Sequence, residues 1–151
     1  MKRRVIHDEH PELLKTLEQL KQQKGFTFTP AQCGAINYGL CIQVDVLENA
    51  HPDYNSAHLS EIFTTQHEGL DPTPLLDFEL TADKAREIRL GLQAGLDVSV
   101  FADPKMPLVN MQWIRRAMAK GIDVRAYPEF SGSITKIIKK YNELCGIHSS
   151  A

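Results

Sequence analysis

The sequence predicts an all-α fold, a short α-solenoid of helix–turn repeats of about 26 residues with an N-terminal capping helix. Three observations support this prediction: an internal repeat, helix-start signals at fixed places within it, and apolar residues at helical spacing. Isoleucines recur at one constant interval, at Ile36, Ile62, Ile88 and Ile114. Periods of this length are typical of stacked repeats, in which each unit buries its apolar stripe against its neighbours.

The repeat extends well beyond the isoleucines. The pattern I-x-x-G-L-x-x-x-(V/L)-D-V-x-x-x-A-x-P begins at Ile36 and again at Ile88, and weaker copies begin at Ile62 and Ile114. We expect a single domain over residues 1–151. Its predicted parts are an N-terminal cap helix in 1–25, four repeats in 28–130, and a degenerate fifth repeat or C-terminal cap in 131–147.

Each copy opens with a helix-start signal. Thr29, Asn55 and Thr81 are residue types that accept hydrogen bonds from the first unpaired amides of a helix. Gln32 lies three residues after Thr29 and completes a capping-box pattern. The fourth copy has Pro107 at this position, so its helix is expected to start one residue out of step.

Helix ends and the turns that follow them are also periodic. Glycines that can adopt a left-handed conformation end the second, third and fourth helices, whereas Gln43 takes this place in the first and predicts a less regular ending. An aspartate follows each ending by two residues and is expected to cap a short turn rather than to act in catalysis. These aspartates are Asp45, Asp71, Asp97 and Asp123.

The two ends of the chain depart from the repeat. Pro11 to Lys24 predicts an amphipathic helix that ends at Gly25. Its inward face is expected to hold Leu13, Leu14, Leu17 and Leu20. Ser131 is the predicted cap of a last helix, which would start two positions earlier than the repeat interval requires and close near Gly146. Its expected inward residues are Ile134, Ile137, Ile138, Tyr141 and Leu144. Residues 148–151 are expected to fray.

The segment from Glu87 to Lys105, EIRLGLQAGLDVSVFADPK, resembles a short tandem repeat of Firmicutes proteins of phage and conjugative-element origin. The pattern of that repeat is I-R-x-G-L-x-x-G-L-D-V-S-x-Y-A-D-P. The similarity is close over residues 80–106 and recognisable over 28–130. It implies a repeat architecture and a mobile-element origin, and it says nothing about chemistry.

Composition and charge narrow the class of protein. The chain has no apolar run long enough to span a membrane, and its basic start has no apolar segment behind it, so a cytoplasmic protein is expected. Cys33, Cys41 and Cys145 lack metal-ligand spacing and are expected to be buried, reduced thiols. Residues 31–80 hold eight acids and no Lys or Arg, whereas residues 81–151 hold eleven bases and seven acids.

The sequence contains few motifs that would indicate catalysis or metal binding. The six histidines do not form a helical zinc pattern, and no phosphate-binding loop, nucleophile elbow or Cys–His pair is present. His58 occupies a repeat position that holds Gln32, Lys84 and Asn110 in other copies, which indicates a solvent-facing polar position. We therefore expect no metal, no cofactor and no enzymatic activity.

The leading functional prediction is a non-catalytic protein-binding module, because repeat surfaces are extended and recognition requires no reactive group. A mobile-element accessory protein or an inhibitor of host defence fits the resemblance. The alternative is nucleic-acid binding through the basic C-terminal half. Trp113 is interpreted either as a core residue or as a partner anchor. The candidate partner-binding residues are Trp113, Arg89, Arg115, Arg116 and Lys120.

Overall fold

A computed structural model describes residues 10–146. Their regular secondary structure consists of helices joined by loops and contains no strand. The termini, including the basic start and the predicted frayed end at 148–151, lie outside the described residues. Residues 10–78 and 79–146 belong to two compact units, each of which is described by itself. The α-helices of the described residues are α1 (Pro11–Lys24), α2 (Pro30–Cys41), α3 (Val46–Asn49), α4 (Ser56–His67), α5 (Ala82–Gln93), α6 (Leu108–Ala119) and α7 (Ile134–Leu144). Four 3₁₀ helices span Thr73–Leu75, Val98–Val100, Val124–Ala126 and Pro128–Ser131.

Five of these helices begin at equal intervals along the chain, at Pro30, Ser56, Ala82, Leu108 and Ile134. The interval is the same as that between the periodic isoleucines. The predicted caps are confirmed, since Thr29, Asn55 and Thr81 each accept a hydrogen bond from the amide three residues on. Thr29 and Gln32 form the full capping box.

Two predicted helix starts are wrong. α6 begins in step with the others because Pro107, with a φ of −58° and a ψ of 142°, already has the extended conformation of a cap. Ser131 lies in the 3₁₀ helix Pro128–Ser131, and Ser133 caps α7 instead. The last helix therefore begins one full repeat interval after α6, not two positions short of it.

The endings of the long helices are more uniform than the sequence predicts. Gly69, Gly95 and Gly121 have positive φ, as expected, and Gln43 adopts the same left-handed conformation with a φ of 63°. The Gln43 amide donates to the Leu40 carbonyl, and the Val44 amide donates to the Gly39 carbonyl. These two bonds also end the helices that close with glycine, so the predicted irregular ending of α2 is wrong.

The predicted turn bonds of the aspartates are confirmed at all four positions, since each carboxylate accepts a hydrogen bond from the amide two residues on. Asp45, Asp97 and Asp123 are the caps of α3 and of two 3₁₀ helices, whereas Asp71 lies one residue before Pro72, the cap of Thr73–Leu75. Asp71 and Asp97 also accept a hydroxyl hydrogen bond at 2.6 Å, from Thr73 and Ser99. These bonds lower the pKa of both carboxyl groups, because they favour the ionised form.

The core of each unit lies between neighbouring long helices. In the first unit α2 packs against both α1 and α4, and in the second α6 packs against both α5 and α7. All four periodic isoleucines are buried on these helices. The terminal helices are less covered than expected: Leu14 on α1 and Leu144 on α7 are exposed, whereas Leu13 and Ile137 are fully buried.

Removing one of the caps tests how much the periodic helix starts contribute to stability. Asn55→Ala deletes the side-chain oxygen that accepts from the His58 amide at 2.8 Å. We expect a loss of about 1 kcal/mol in the free energy of unfolding, measured by urea denaturation. Ser56→Ala, one residue further on, should change it by less than about 0.5 kcal/mol. Equal effects would contradict a capping role for Asn55.

Within residues 10–146, none of the helices has both the length and the apolar character that crossing a bilayer requires.

Candidate functional site

The predicted partner-binding residues lie on two helices of the second unit. Arg89 is half-buried on α5, Trp113, Arg115 and Arg116 lie on α6, and Lys120 is exposed at the C-cap of α6. They do not converge on one point. Trp113 and Arg116 contact each other, whereas Arg115 faces α5.

Trp113 lies between a cation and a second aromatic ring. The Arg116 guanidinium carbon is 5.0 Å from the centroid of the Trp113 ring. The Tyr141 ring, on α7, meets Trp113 edge-to-face at 5.2 Å between centroids. Tyr141 is buried, Trp113 is half-buried and Arg116 is exposed. The three side chains therefore extend from the core to the solvent. We call Trp113, Arg116 and Tyr141 the tryptophan surface.

Arg115 is held by a carboxylate of the neighbouring helix. Its Nε donates to Oε2 of Glu87 at 2.6 Å, and the Glu87 side chain is only 8% exposed. Burying a carboxylate is unfavourable unless it is paired, so this bond fixes both side chains. The pair lines a cleft of about 350 Å³ between α5 and α6, together with Asp83, Arg86, Leu90, Leu108 and Gln112.

The ion pair and the aromatic pair occupy equivalent places. Glu87 and Arg115 are 28 residues apart, and so are Trp113 and Tyr141. Both therefore join the same positions of consecutive helices, with charges between α5 and α6 and aromatic rings between α6 and α7. Trp113 thus takes part in helix packing while part of its side chain stays exposed, and its role as a partner anchor stays a prediction.

Several other bases of the second unit have acceptors within it. Lys84 Nζ donates to the Pro104 carbonyl at 2.6 Å, and Arg125 bonds both Asp97 and Ser99. Lys140 lies 2.9 Å from a Glu143 carboxylate oxygen and 3.9 Å from Glu129. The hydrogen bond that Lys140 donates to Glu143 raises the pKa of Lys140 and lowers that of Glu143. Carboxylates therefore balance the charges of Arg115, Arg125 and Lys140.

The prediction that His58 faces solvent is wrong. His58 is buried, and its Nε2 lies 2.6 Å from the Leu75 carbonyl oxygen. Since that oxygen can only accept, Nε2 carries the hydrogen. Burial lowers the pKa of His58, and the Leu75 bond and the charges of Asp77 and Glu61 only partly oppose this effect.

The same polar position in other copies has the same task. Gln32 Nε2 donates to the carbonyls of Pro52 and Tyr54 at 2.7 and 2.8 Å, and Lys84 reaches Pro104. In each case a nitrogen at the end of a long side chain satisfies a carbonyl of the following loop. These residues link consecutive parts of each unit and are structural.

The remaining candidates for chemistry are dispersed. No group of three or more His, Cys, Asp or Glu side chains comes together as a metal site among residues 10–146. Cys33 is buried, as predicted, and burial raises the pKa of its thiol. Cys41 is exposed and Cys145 is half-buried, so the prediction of buried thiols is wrong for these two. Each lies at or just beyond the end of a long helix, where coverage is lower.

Sequence reasoning missed an aromatic cluster in the first unit. The His51 ring lies 4.6 Å from the rings of both Phe26 and Phe78, and Tyr54 lies 4.8 Å from Phe78. Phe26 and Phe78 are separated by two periods of the repeat, and this spacing is the signal that could have revealed them. We call Phe26, His51 and Phe78 the aromatic surface.

No family model, curated protein or solved structure matches this chain.

Proposed function

We propose that the chain is a non-catalytic protein-binding module and that it binds its partner through the tryptophan surface. The observation that carries this proposal is the contact of Trp113 with Arg116 and Tyr141 at a partly exposed place. Tryptophan, tyrosine and arginine are the residue types that contribute most to binding energy at protein interfaces. Trp113 and Arg116 can contact a partner, and the buried Tyr141 ring supports Trp113 from the core side.

An apolar neighbour extends this surface. Val109 lies on α6, four residues before Trp113, and is 42% exposed. Residues four apart on a helix lie on the same face. Val109 and the tryptophan ring can therefore be covered by one partner, while Arg116 supplies the polar edge that interfaces commonly have around an apolar centre.

We also propose that the architecture is a short α-solenoid of helix–turn repeats, with a repeat length of about 26 residues. The five equally spaced helix starts support this proposal, and so do the equivalent links made by Gln32 and Lys84. Stacked repeats offer an extended surface for a protein partner. A role as a cytoplasmic mobile-element accessory or host-defence inhibitor belongs to the same proposal and is supported by the sequence resemblance alone.

Nucleic-acid binding by the basic half is the alternative, and the geometry favours it less. Arg115, Arg125 and Lys140 are each engaged by carboxylates of the same unit. Affinity for a phosphate backbone depends on how many cations can neutralise phosphates. Cations that already have carboxylate partners contribute less to such a surface.

Photo-crosslinking tests the proposed protein partner. Benzoylphenylalanine placed at Val109, next to Trp113, should give a protein adduct in cells of the source organism. Arg116→Ala in the same chain should reduce the adduct about 5- to 30-fold, because hot-spot residues contribute roughly 1–2 kcal/mol or more. Arg125→Ala is the matched control, since it removes an exposed arginine of the same unit that pairs with Asp97.

The outcome that contradicts the proposal is equal loss of the adduct in both arginine variants. Strong retention of the protein on DNA or RNA that weakens steeply with salt, and that both variants reduce alike, would favour the nucleic-acid alternative.

A further inference from the structure

The aromatic surface is exposed where large apolar side chains are usually covered. Phe78 is 51% exposed although its ring packs against His51 and Tyr54. Phe26 also contacts His51 and meets the histidine ring edge-to-face. Ring contacts thus hold Phe78 in place while much of it stays open to solvent. Exposed apolar groups that belong to a contiguous patch often mark interaction sites.

The surroundings of these rings are acidic. Residues 31–80 hold eight acids and no Lys or Arg. The Asp53 side chain is 67% exposed, and its carboxylate lies 3.9 Å from Nδ1 of His51. Asp77 directly precedes Phe78, and its charge adds to the effect of burial in raising the pKa of Tyr54. Asp53 and Asp77 therefore bring negative charge close to His51 and Tyr54.

One cation of the chain already lies on this surface. Lys24 Nζ is 6.0 Å from the centroid of the Phe26 ring and donates to the Leu47 carbonyl at 2.7 Å. The electron-rich face of an aromatic ring attracts cations, and nearby carboxylates add to the attraction. Lys24 contacts the Phe26 ring in this way, and the exposed ring of Phe78 can bind a cation of another molecule by the same interaction.

We propose that the aromatic surface is a docking site for a basic protein segment rich in Arg or Lys. A guanidinium or ammonium group packs on the Phe78 ring, and Asp53 balances its charge. The acidic surroundings repel nucleic acid and acidic proteins, so charge complementarity selects a cationic peptide. This site lies in the first unit and is independent of the tryptophan surface of the second.

Titration with a fluorescently labelled octa-arginine peptide tests the proposal, with affinity measured by anisotropy at low and physiological salt. Phe78→Ala should weaken binding about two- to fivefold, the change that one exposed cation–π contact provides. Leu14→Ala is the matched control, because Leu14 lies in the same unit and is also 51% exposed. It should leave the affinity unchanged, and so should Arg116→Ala on the tryptophan surface.

Charge is tested separately from the ring. Asp53→Asn should weaken octa-arginine binding, whereas Glu12→Gln, which removes an exposed acid from the first turn of α1, should not. Both Phe78 and Asp53 are exposed, and circular dichroism should show that these variants remain folded.

Three results would overturn the proposal. The first is an affinity that Phe78→Ala leaves unchanged or that Leu14→Ala lowers equally. The second is an equal effect of Asp53→Asn and Glu12→Gln, which would indicate diffuse attraction without a site. The third is self-association of the protein alone in sedimentation experiments that Phe78→Ala abolishes, which would assign the surface to a second copy of the chain.

Discussion

His58→Ala is expected to lower the free energy of unfolding by about 2–4 kcal/mol, measured by urea denaturation at pH 7. The substitution leaves a cavity next to Tyr54, whose ring lies 4.6 Å from that of His58. It also leaves the Leu75 carbonyl without the donor that lies 2.6 Å away. His58→Gln is the matched variant, because Gln32 already donates from the equivalent position to the Pro52 and Tyr54 carbonyls. It should retain most of the stability.

The same pair of proteins reveals a dependence on pH. Burial lowers the pKa of His58 below its ordinary value of 6.5, so the native state resists a proton that the unfolded state accepts. The stability contributed by the neutral ring is therefore complete above about pH 6.5 and falls as the pH drops below that value. Between pH 7 and 5 the wild-type protein should lose more stability than His58→Gln. Parallel stability curves for the two proteins would contradict the argument.

Gly39→Ala is expected to destabilise the first unit by about 1–3 kcal/mol, measured by thermal or urea denaturation. A methyl group at Gly39 would lie 2.6 Å from Cγ1 of Val46 and 2.8 Å from Cδ2 of Phe63. Both side chains are buried, and Phe63 comes from the neighbouring helix α4. Neither side chain can move without displacing the core. The better helix propensity of alanine offsets only part of this cost.

Gly34→Ala, in the same helix, is the control and should have the opposite sign. Gly34 is exposed, and a methyl group there has no atom within 4 Å. Only the propensity term remains, so a gain of about 0.5–1 kcal/mol is expected. If both substitutions stabilise the protein, α4 does not approach α2 closely enough at Gly39 to exclude a methyl group.

Local signals in the sequence were sufficient to predict most helix boundaries. Thr29, Asn55 and Thr81 are recognisable as caps because a capping side chain bonds an amide only three residues away. The aspartate turns are predictable for the same reason, since the turn of Asp97 depends on a bond from the Ser99 amide, two residues on. Information for such features lies within a few residues of the chain.

The errors arose where a residue acts through more distant atoms or through its backbone. Its polar side chain predicts that His58 faces solvent, whereas its partner is a carbonyl 17 residues further on. Gln43 stands where a glycine usually marks a left-handed helix ending. It adopts that conformation together with the backbone bonds to the Leu40 and Gly39 carbonyls that end α2. The aromatic surface joins Phe26, His51 and Phe78 across the first unit, which no local pattern contains.

Gln32, His58 and Lys84 fill one position with an amide, an imidazole and an ammonium group, and each reaches a backbone carbonyl. The position requires only a side chain that is long enough and that carries one N–H donor. Its chemical group can therefore vary while the hydrogen bond to the carbonyl is kept. Of the three, only the imidazole changes its charge between pH 5 and 8 in its ordinary form. A single substitution at this position can therefore add or remove a dependence of stability on acidic pH, while the other helices and turns stay the same.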